Sequence, residues 1–439
     1  MSKLRIYVAI TTFLPLIGGA ETQTHAQCKL LCEKGIDATI VTFRHDKDWA
    51  HYEVIGGVPV MRIAGLLLGR RKLFPRLLQR LLYLFAMLQM SLTIWHHRNR
   101  FDVLQVCQFN LLVLPLAIIC RIAHKPMTII VISAGAGKQT KSRNKASLIA
   151  GPVDPTASWL QVDGQTWIDG DLYGLERAGK PFLRYMRSQL KRIQVAVVVL
   201  SSRMSMYLAG HDLHLPDTQI IPNGVDIMRF CPPYDKNALA EDCRAQTVIC
   251  VSKMRYEKGI DVLLQAWRLV HEQISSAQLI IVGSGPIQAQ LERLASALCI
   301  LDSVEFAGLQ SDVPSQLHRG KIGVLPSRWE GMPNALLEAM ACGLACVATS
   351  VSGSEDIIQY GSNGFLVEPE DYESMAQALL TLLHDPELIQ KFGLAARETI
   401  EKNYSLDHIT NMYIELYQRL THQQVVDDAQ LSESCQFIS

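Results

Sequence analysis

The stretch LRIYVAITTFLPLIGGAET, residues 4–22, decides the fold of the first half of the chain. It contains an apolar run at residues 5–10 and a loop with Gly18 and Gly19, and the residues after it have apolar positions at helical spacing up to Gly35. We predict a buried parallel strand, a glycine-rich turn with available backbone N–H groups, and an amphipathic helix. The stretch also looks like a secretory signal peptide. Because cleavage would delete the central strand, we predict that it is retained.

Further strands are predicted on both sides of a break at IIPNGVD, residues 220–226. The candidates are DATIVTF, DVLQVC, MTIIVIS and VAVVVLS before the break, and TVICVS, QLIIVG, VEFAG, IGVLPS, ACVATS and GFLVEP after it. A chain of 439 residues is too long for one ordinary core. We predict an α/β protein with two Rossmann-like, doubly wound parallel-sheet domains facing a cleft: residues 1–222 and 223–403. A helix at 404–422 and a flexible tail at 423–439 follow, and residues 142–179 are predicted to form a long ordered loop.

Charge is distributed unevenly along the chain. Residues 1–200 hold 26 Lys and Arg against 12 Asp and Glu, and the remainder holds 16 against 30, although the whole chain is formally neutral. No acidic residue lies between Glu53 and Asp102, where basic residues alternate with Leu, Phe, Met and Trp. This mixture suits an interfacial helix on anionic lipid better than a nucleic-acid surface, so residues 62–100 are a candidate for peripheral membrane contact. A core-facing helix with a solvated basic face is the alternative, and the uncharged run Leu81–Trp95 is too short for a span.

The eleven cysteines are scattered and odd in number, so they do not form a disulfide framework. Helical spacing at Cys28/Cys32 and at Cys342/Cys346, without a companion His, favours buried packing over metal binding. We therefore expect a reducing, cytoplasmic location, with contact at the cytoplasmic face of the membrane, and no metal.

Three segments after strands of the second half could bind an anionic ligand, because ligands of open parallel sheets bind beyond the carboxyl ends of the strands. Lys253 and Lys258 follow the first strand and could neutralise a diphosphate leaving group. Gly283 and Gly285 follow the second strand, in a turn that lets a ligand approach the backbone. The third segment, RWEGMPNALLEAMACG, puts Pro333 at a first helical position, with first-turn N–H groups as an anion site. Two carboxylates in this segment, Glu330 and Glu338, could accept sugar hydroxyls.

These motifs, taken together, resemble the retaining, family-four glycosyltransferases of the two-domain GT-B fold. The resemblance rests on GGAE (18–21), IPNGVD (221–226), EKGIDVLLQA, LIIVGSGP and, above all, EGMPNALLEAMACG followed by GFLVEP. It spans nearly the whole chain. It implies transfer of a sugar from a nucleotide diphosphate to a glycan or lipid-linked acceptor in cell-surface polysaccharide or glycolipid synthesis. No metal or cofactor is expected beside the nucleotide sugar, for which we favour a UDP-sugar.

The resemblance also implies roles for individual residues. Glu330 would contact the transferred sugar, Lys258 and Lys253 the diphosphate, and Glu338 the ribose, and the final helix would cross back to the first domain. The transfer would keep the anomeric configuration by front-face attack, with the acceptor proton passing to the leaving diphosphate. The remaining donor-binding candidates are Gly18, Gly19, Asn223, Gly283, Gly285, Gly331, Met332, Pro333, Asn334 and Ala335.

Two positions depart from the family pattern. Lys253 stands where members usually carry Arg. A lysine keeps the positive charge but lacks the guanidinium that can bind a phosphate with two parallel hydrogen bonds. The segment IIVISAGAGKQT lacks the histidine that many members have, and offers Gly135 and Lys138 as acceptor-side candidates. Two alternatives therefore stay open: a sugar-nucleotide epimerase or phosphorylase on the same fold, and a catalytically inactive sugar-nucleotide-binding subunit. A dehydrogenase is disfavoured because no full G-x-G-x-x-G precedes a helix.

Overall fold

The computed structural model describes residues 3–16, 18–64, 75–132, 180–210, 217–233 and 246–436. The predicted loop at 142–179 and the acceptor-side candidates Gly135 and Lys138 lie outside these residues. The described chain divides into two compact units. The first unit holds the described residues up to 132, those from 180 to 223, and those from 406 onward; the second unit holds the described residues from 224 to 405.

The first unit is built on a sheet of eight described strands with the order β3-β4-β2-β1-β5-β6-β7-β8, parallel except for the β3–β4 pair. Its strands are β1 (Arg5–Ala9), β2 (Asp37–Arg44), β3 (Tyr52–Ile55), β4 (Val58–Ala64), β5 (Val103–Cys107), β6 (Met127–Val131), β7 (Val195–Val199) and β8 (Thr218–Ile220). Its helices are α1 (Gly19–Glu33), α2 (Arg76–His96), α3 (Val113–Ile122), α4 (Lys180–Leu190) and α5 (Ser202–Gly210).

β1 lies at the middle of this sheet, between β2 and β5, as the opening stretch predicts. Ile6, Val8 and Ala9 are fully buried, as expected of a parallel strand covered on both faces. α1 ends where predicted: Gly35 has a φ of +85° and its N–H donates to Cys32 O at 3.0 Å. The strand order reverses between β1 and β5, so the chain leaves β1 at a position typical of ligand sites.

An antiparallel hairpin, β3–β4, occupies one edge of the first sheet and was missed in the sequence reasoning. Gly56 and Gly57 form its turn with φ of 54° and 87°, the left-handed conformations of a two-residue hairpin turn. Arg62 on β4 is 2% exposed and pairs with Glu53 on β3. It also donates to Leu14 O at 2.6 Å, which ties the loop after β1 to the hairpin. The Gly-Gly pair between alternating apolar residues was the sequence feature that could have predicted this hairpin.

α2 occupies part of the segment that the sequence marks for membrane contact. It packs on its own unit through one apolar face and exposes a second apolar face. Within the described part of the chain, no helix combines the length and the apolarity that crossing a bilayer requires.

The second unit contains a six-stranded, fully parallel sheet with the order β11-β10-β9-β12-β13-β14. All six strands predicted after the break are confirmed: β9 (Thr247–Val251), β10 (Gln278–Val282), β11 (Val304–Gly308), β12 (Ile322–Leu325), β13 (Ala345–Thr349) and β14 (Gly364–Val367). The helices are α6 (Ile260–Gln273), α7 (Gln288–Ala297), α8 (Val313–Leu317), α9 (Asn334–Ala341), α10 (Ser354–Ile357), α11 (Tyr372–His384) and α12 (Pro386–Asn403). The order reverses between β9 and β12, and buried side chains such as Trp267 and Phe392 fill the core against the sheet.

The last helix, α13 (Leu406–Gln436), belongs to the first unit. The Tyr417 hydroxyl donates to Gln105 on β5, and Arg419 pairs with Asp217 at 2.9 Å. The helix extends past residue 422, where the sequence was interpreted as the start of a flexible tail. Residues 423–436 contain no glycine or proline, so nothing in their backbone chemistry ends the helix at that point.

Candidate functional site

The loops after β9 and β12 meet in the second unit, at the point where the strand order reverses. The backbone N–H of Arg328, after β12, donates to Glu257 O, after β9, at 2.8 Å. Gly259 has a φ of +61°, and a Cβ on it would lie 2.0 Å from Pro326 O. Only glycine therefore lets the two loops pack this closely. The side chains of both loops are brought together beyond the carboxyl edge of the sheet, where open parallel sheets bind their ligands.

Lys258 and Glu330 form an ion pair at this junction. Lys258 Nζ lies 2.6 Å from Glu330 Oε1, and Ser327 Oγ donates to the same oxygen at 2.7 Å. The Glu330 side chain is 9% exposed and that of Lys258 is 23% exposed, so both are shielded and still reachable from solvent. The sequence placed the two residues after two different strands of the second half; the structure makes these strands neighbours and brings the two side chains into direct contact.

Arg328 precedes Glu330 in the same loop and was not identified from the sequence. It forms two hydrogen bonds of 2.7 Å to the Asp261 carboxylate and one of 2.7 Å to Tyr256 O, and it stacks over the Tyr256 ring at 4.1 Å. It also pairs with Glu370. Burial opposes its charge, but the hydrogen bonds and the charges of Asp261 and Glu370 outweigh burial and raise its pKa. Its position in the loop after β12 was the sequence feature that could have marked it as a site residue.

Glu338 lies on α9, one turn after the helix start, and is largely buried. Burial raises the pKa of Glu338 to about 7, and the positive charge of Arg229 acts in the opposite direction. Among the described residues, no side chain or backbone group forms a hydrogen bond or an ion pair with its carboxylate. A carboxyl group of this kind can accept the hydroxyls of a ligand without first losing a protein partner.

The start of α9 differs from the prediction at Pro333. This residue precedes the helix as its N-cap, with φ −83° and ψ 94°, and Asn334 is the first helical residue. Proline fixes φ and leaves ψ variable, so an extended ψ takes it out of the first turn. Its carbonyl accepts from the N–H groups of Leu336 and Leu337 at 3.1 and 3.3 Å. Gly331 and Met332 lead into the cap, and the Gly331 carbonyl accepts from Ser352 Oγ at 3.2 Å.

The glycine turn after β10 packs against the loop that carries Lys253. A Cβ on Gly283, whose φ is +135°, would lie 2.0 Å from Ser252 O, and one on Gly285 would lie 2.3 Å from Met254 O. The close approach that the sequence assigned to a ligand is therefore made by the chain itself. Lys253, between these two contacts, has an exposed side chain.

Three predicted donor-binding residues belong to the first unit. Gly18 is the N-cap of α1 and Gly19 its first residue, while Asn223 is the last residue of the unit before the chain enters the second. Gly18 lies under the Glu21 side chain, since a Cβ on it would be 2.2 Å from Glu21 Oε2. Glu21 Oε1 accepts from Thr12 Oγ1 at 2.6 Å, which fixes the carboxylate over the loop. The other described candidates, from Lys253 to Glu338, lie in the second unit.

Comparison with known proteins matches both units to glycosyltransferase families. A "Glycosyl transferase 4-like domain" model matches residues 18–224, and a "Glycosyl transferases group 1" model matches residues 245–385. N-acetyl-alpha-D-glucosaminyl L-malate synthase of Bacillus anthracis is 34% identical over 231 residues, 51% of this chain and 60% of that protein. UDP-Gal:alpha-D-GlcNAc-diphosphoundecaprenol alpha-1,3-galactosyltransferase of Escherichia coli is 27% identical over 209 residues, 45% of this chain and 54% of that protein.

These alignments span a little over half the length of the two curated relatives. Over the whole chain, the fold is similar to that of sucrose-phosphate synthase from Thermosynechococcus elongatus. The TM-score is 0.73 and the sequence identity 20%, with 96% of this chain and 100% of that one covered. The chain therefore belongs to the group 1, family-four glycosyltransferases, and its two doubly wound units have the GT-B fold.

Proposed function

We propose that the chain transfers a sugar from a nucleotide-diphosphate sugar to a glycan or lipid-linked acceptor with retention of anomeric configuration and without a metal. The Lys258–Glu330 ion pair beside the start of α9 is the observation that carries the proposal. It puts a cation and a shielded carboxylate next to a helix N-terminus, the combination that a sugar diphosphate requires: positive charge for the phosphates and an acceptor for the sugar hydroxyls.

Each side chain would act on a different part of the donor. Lys258, with Lys253 nearby in sequence, would neutralise the diphosphate as charge develops on the leaving oxygen. The N–H groups at the start of α9, from Asn334 and Ala335, would face the phosphate. Glu330 would accept hydroxyls of the transferred sugar and Glu338 those of the ribose. Gly283 and Gly285 would let the loop that carries Lys253 pack closely at this edge of the sheet.

Retention would follow from attack on the face that the diphosphate leaves. The acceptor hydroxyl would bond to the anomeric carbon as the bond from that carbon to the diphosphate oxygen breaks, and the hydroxyl proton would pass to that oxygen. No protein nucleophile is required. The chain's part would be to hold both reactants and to stabilise the departing charge through Lys258.

The acceptor is proposed to be a growing glycan on a lipid carrier at the cytoplasmic face of a membrane, in cell-surface polysaccharide or glycolipid synthesis. The excess of positive charge in residues 1–200 supports an anionic partner for that part of the chain. The E. coli relative carries both a UDP-sugar and a diphosphoundecaprenol acceptor in its name, which favours a UDP-sugar here.

A binding subunit without catalysis is the second candidate. It is motivated by Lys253 in place of arginine and by the missing histidine in IIVISAGAGKQT. Such a subunit would bind a nucleoside diphosphate and release no sugar to water or to any acceptor. The intact Lys258, Glu330 and Glu338 set favours the transferase.

A thermal-shift titration with UDP, GDP and ADP and their sugars tests the proposal. A ligand at 100 times its Kd stabilises a folded protein by about 2.7 kcal/mol, which is a Tm shift of a few degrees for a chain of this size. We expect one nucleotide series to raise Tm, and Lys258→Met to remove the shift. Lys391→Met, an exposed lysine on α12, is the matched control and should keep it. A folded wild-type chain that no series stabilises would contradict the proposal.

A further inference from the structure

α2 has two apolar faces on opposite sides. The inner face, with Ala86, Met87, Met90 and Ile94, is at most 6% exposed and holds the helix on the first unit. The outer face is exposed between 39% and 59% at each position. It consists of Leu78, Leu81, Leu84, Phe85, Leu88 and Leu92, which we call the docking face.

The docking face is continuous. At about 100° per residue, its six positions fall within an arc of about 120°, and their spacing of three and four residues stacks them along the helix. From Leu78 to Leu92 the strip is about 21 Å long. Single exposed leucines are ordinary on a soluble surface, but a strip of six is typical of a surface that contacts something apolar.

The charge of the sequence interval that contains the docking face indicates the kind of partner. Between Glu53 and Asp102 the chain has no acidic residue, and Arg62 is neutralised by its pair with Glu53. The other cations of this interval are Arg70, Arg71, Lys72, Arg76, Arg80, Arg98 and Arg100. Asp102, the acid nearest to the last two in sequence, pairs with Arg5 at 2.7 Å. A second copy of this chain would bring the same positive charges to the interface, which opposes self-association through this face. An anionic lipid surface satisfies both the apolar strip and the cations.

The end of α2 carries a further feature suited to a bilayer interface. The Arg98 guanidinium lies 4.3 Å from the centre of the Trp95 ring, and Arg98 donates to the Trp95 carbonyl at 3.1 Å. An aromatic ring stacked with a cation presents an apolar body and a charged edge, which is the amphipathic chemistry of the headgroup region.

We propose that the docking face inserts into the headgroup boundary of an anionic bilayer, with α2 parallel to the membrane plane. The inner face stays on its sheet, so the helix lies on the bilayer and does not enter it end-on. This inference is independent of the proposed reaction: it needs no donor and no acceptor, and its failure would leave the transfer chemistry standing. If both hold, membrane contact confines the enzyme to the surface that carries its lipid-linked acceptor.

Vesicle flotation tests the docking face with the full chain and no substrate. The probes are vesicles of phosphatidylcholine alone and with about a third phosphatidylglycerol, at low and high salt. We expect at least about tenfold stronger partitioning to the anionic vesicles, and a loss of this preference at high salt. Equal recovery with both vesicles would overturn the proposal.

Substitutions distinguish binding through the docking face from non-specific binding through other exposed leucines. Leu81→Gln with Leu88→Gln should weaken partitioning by at least about tenfold. The control pair, Leu309→Gln with Leu394→Gln, removes leucines that are 79% and 67% exposed in the second unit and should leave partitioning unchanged. All four leucines are exposed, so each variant should unfold at the wild-type temperature. Unchanged partitioning of the docking-face variant would overturn the proposal. So would a wild-type dimer that this variant dissociates, since the face would then be a self-interface.

Discussion

Arg328 and Asp261 form a bidentate ion pair, with both Nη–Oδ distances at 2.7 Å and both side chains less than 10% exposed. The pair joins the loop after β12 to the first turn of α6. Because Arg328 also holds the Tyr256 carbonyl, it fixes the short 3-10 turn that ends in Lys258. Arg328 is thus a positioning residue, which sets where Lys258 meets Glu330 without itself touching either carboxylate of the candidate site.

Arg328→Met should destabilise the second unit strongly, because it leaves Asp261 buried and unpaired. We expect a loss of about 3–5 kcal/mol in the free energy of unfolding, measured by urea denaturation. The matched control is Arg319→Met, which breaks a surface pair whose Nη1–Oε1 distance to Glu305 is 2.9 Å and should lose about 1 kcal/mol or less. Equal losses in the two variants would show that the buried pair has no special part in the fold.

Glu330→Gln should abolish transfer and keep nucleotide binding, since Glu330 is proposed to contact the sugar and not the nucleotide. We expect the rate of sugar release to fall by about a hundredfold or more, while the Kd of the free nucleoside diphosphate changes by less than about threefold. Glu305→Gln, a surface carboxylate in the same unit, should leave both unchanged. Unaltered turnover of Glu330→Gln would remove this residue from the mechanism.

Glu338 should make stability depend on pH. Its folded pKa of about 7 is above its ordinary value of 4.5, so the folded state binds more protons than the unfolded state between these values. The free energy of unfolding should therefore fall as pH rises from about 4.5 to 7. Glu338→Gln should remove this fall and be more stable than wild type at pH 8 by about 1–3 kcal/mol, with little difference at pH 4.5.

Urea denaturation at the two pH values measures this difference. Glu387→Gln, at an exposed position on α12, is the control and should follow the wild type at both values. A Glu338→Gln curve parallel to that of the wild type would mean that the carboxyl is not held in its neutral form by burial.

Gly259→Ala tests the close approach of the two loops. The new Cβ would meet Pro326 O at 2.0 Å in a left-handed backbone, so the loops must separate and the Lys258–Glu330 contact must lengthen. We expect a loss of more than about 2 kcal/mol in unfolding free energy, together with loss of nucleotide binding. Gly361→Ala is the matched control, with a φ of +73° and no atom within 4 Å of the new Cβ. It should lose only about 1 kcal/mol and keep binding.

The sequence predicted every strand of the second sheet, because each strand is a short apolar run followed by a turn or a helical segment. It also predicted that Lys258 and Glu330 each follow a strand of this sheet, at its carboxyl end. Their direct contact depends on the order β9-β12, and strand order is a property of the packed sheet, not of any single run.

The features that the sequence did not reveal depend on backbone conformation or on partners that are distant in the chain. Arg328 reaches Asp261, 67 residues earlier, and its neighbours in sequence give no hint of that partner. The β3–β4 hairpin was overlooked because one of its strands, Tyr52–Ile55, lies at the sheet edge and its alternation is short. Pro333 was placed one residue too far into α9, because proline constrains only one of its two backbone angles.

The 72 residues that separate Lys258 from Glu330 have a consequence for the order of folding. β10 and β11 are made between these two residues, whereas β12 returns to the other side of β9. A chain that has been synthesised only as far as β11 already contains Lys258. It still lacks β12, and with it Glu330, which β12 places beside Lys258. Closing a loop of this length costs chain entropy before any contact compensates for it, and the ion pair can form only once the loop has closed. Nucleotide binding during refolding should therefore appear late, after most of the helical signal has returned.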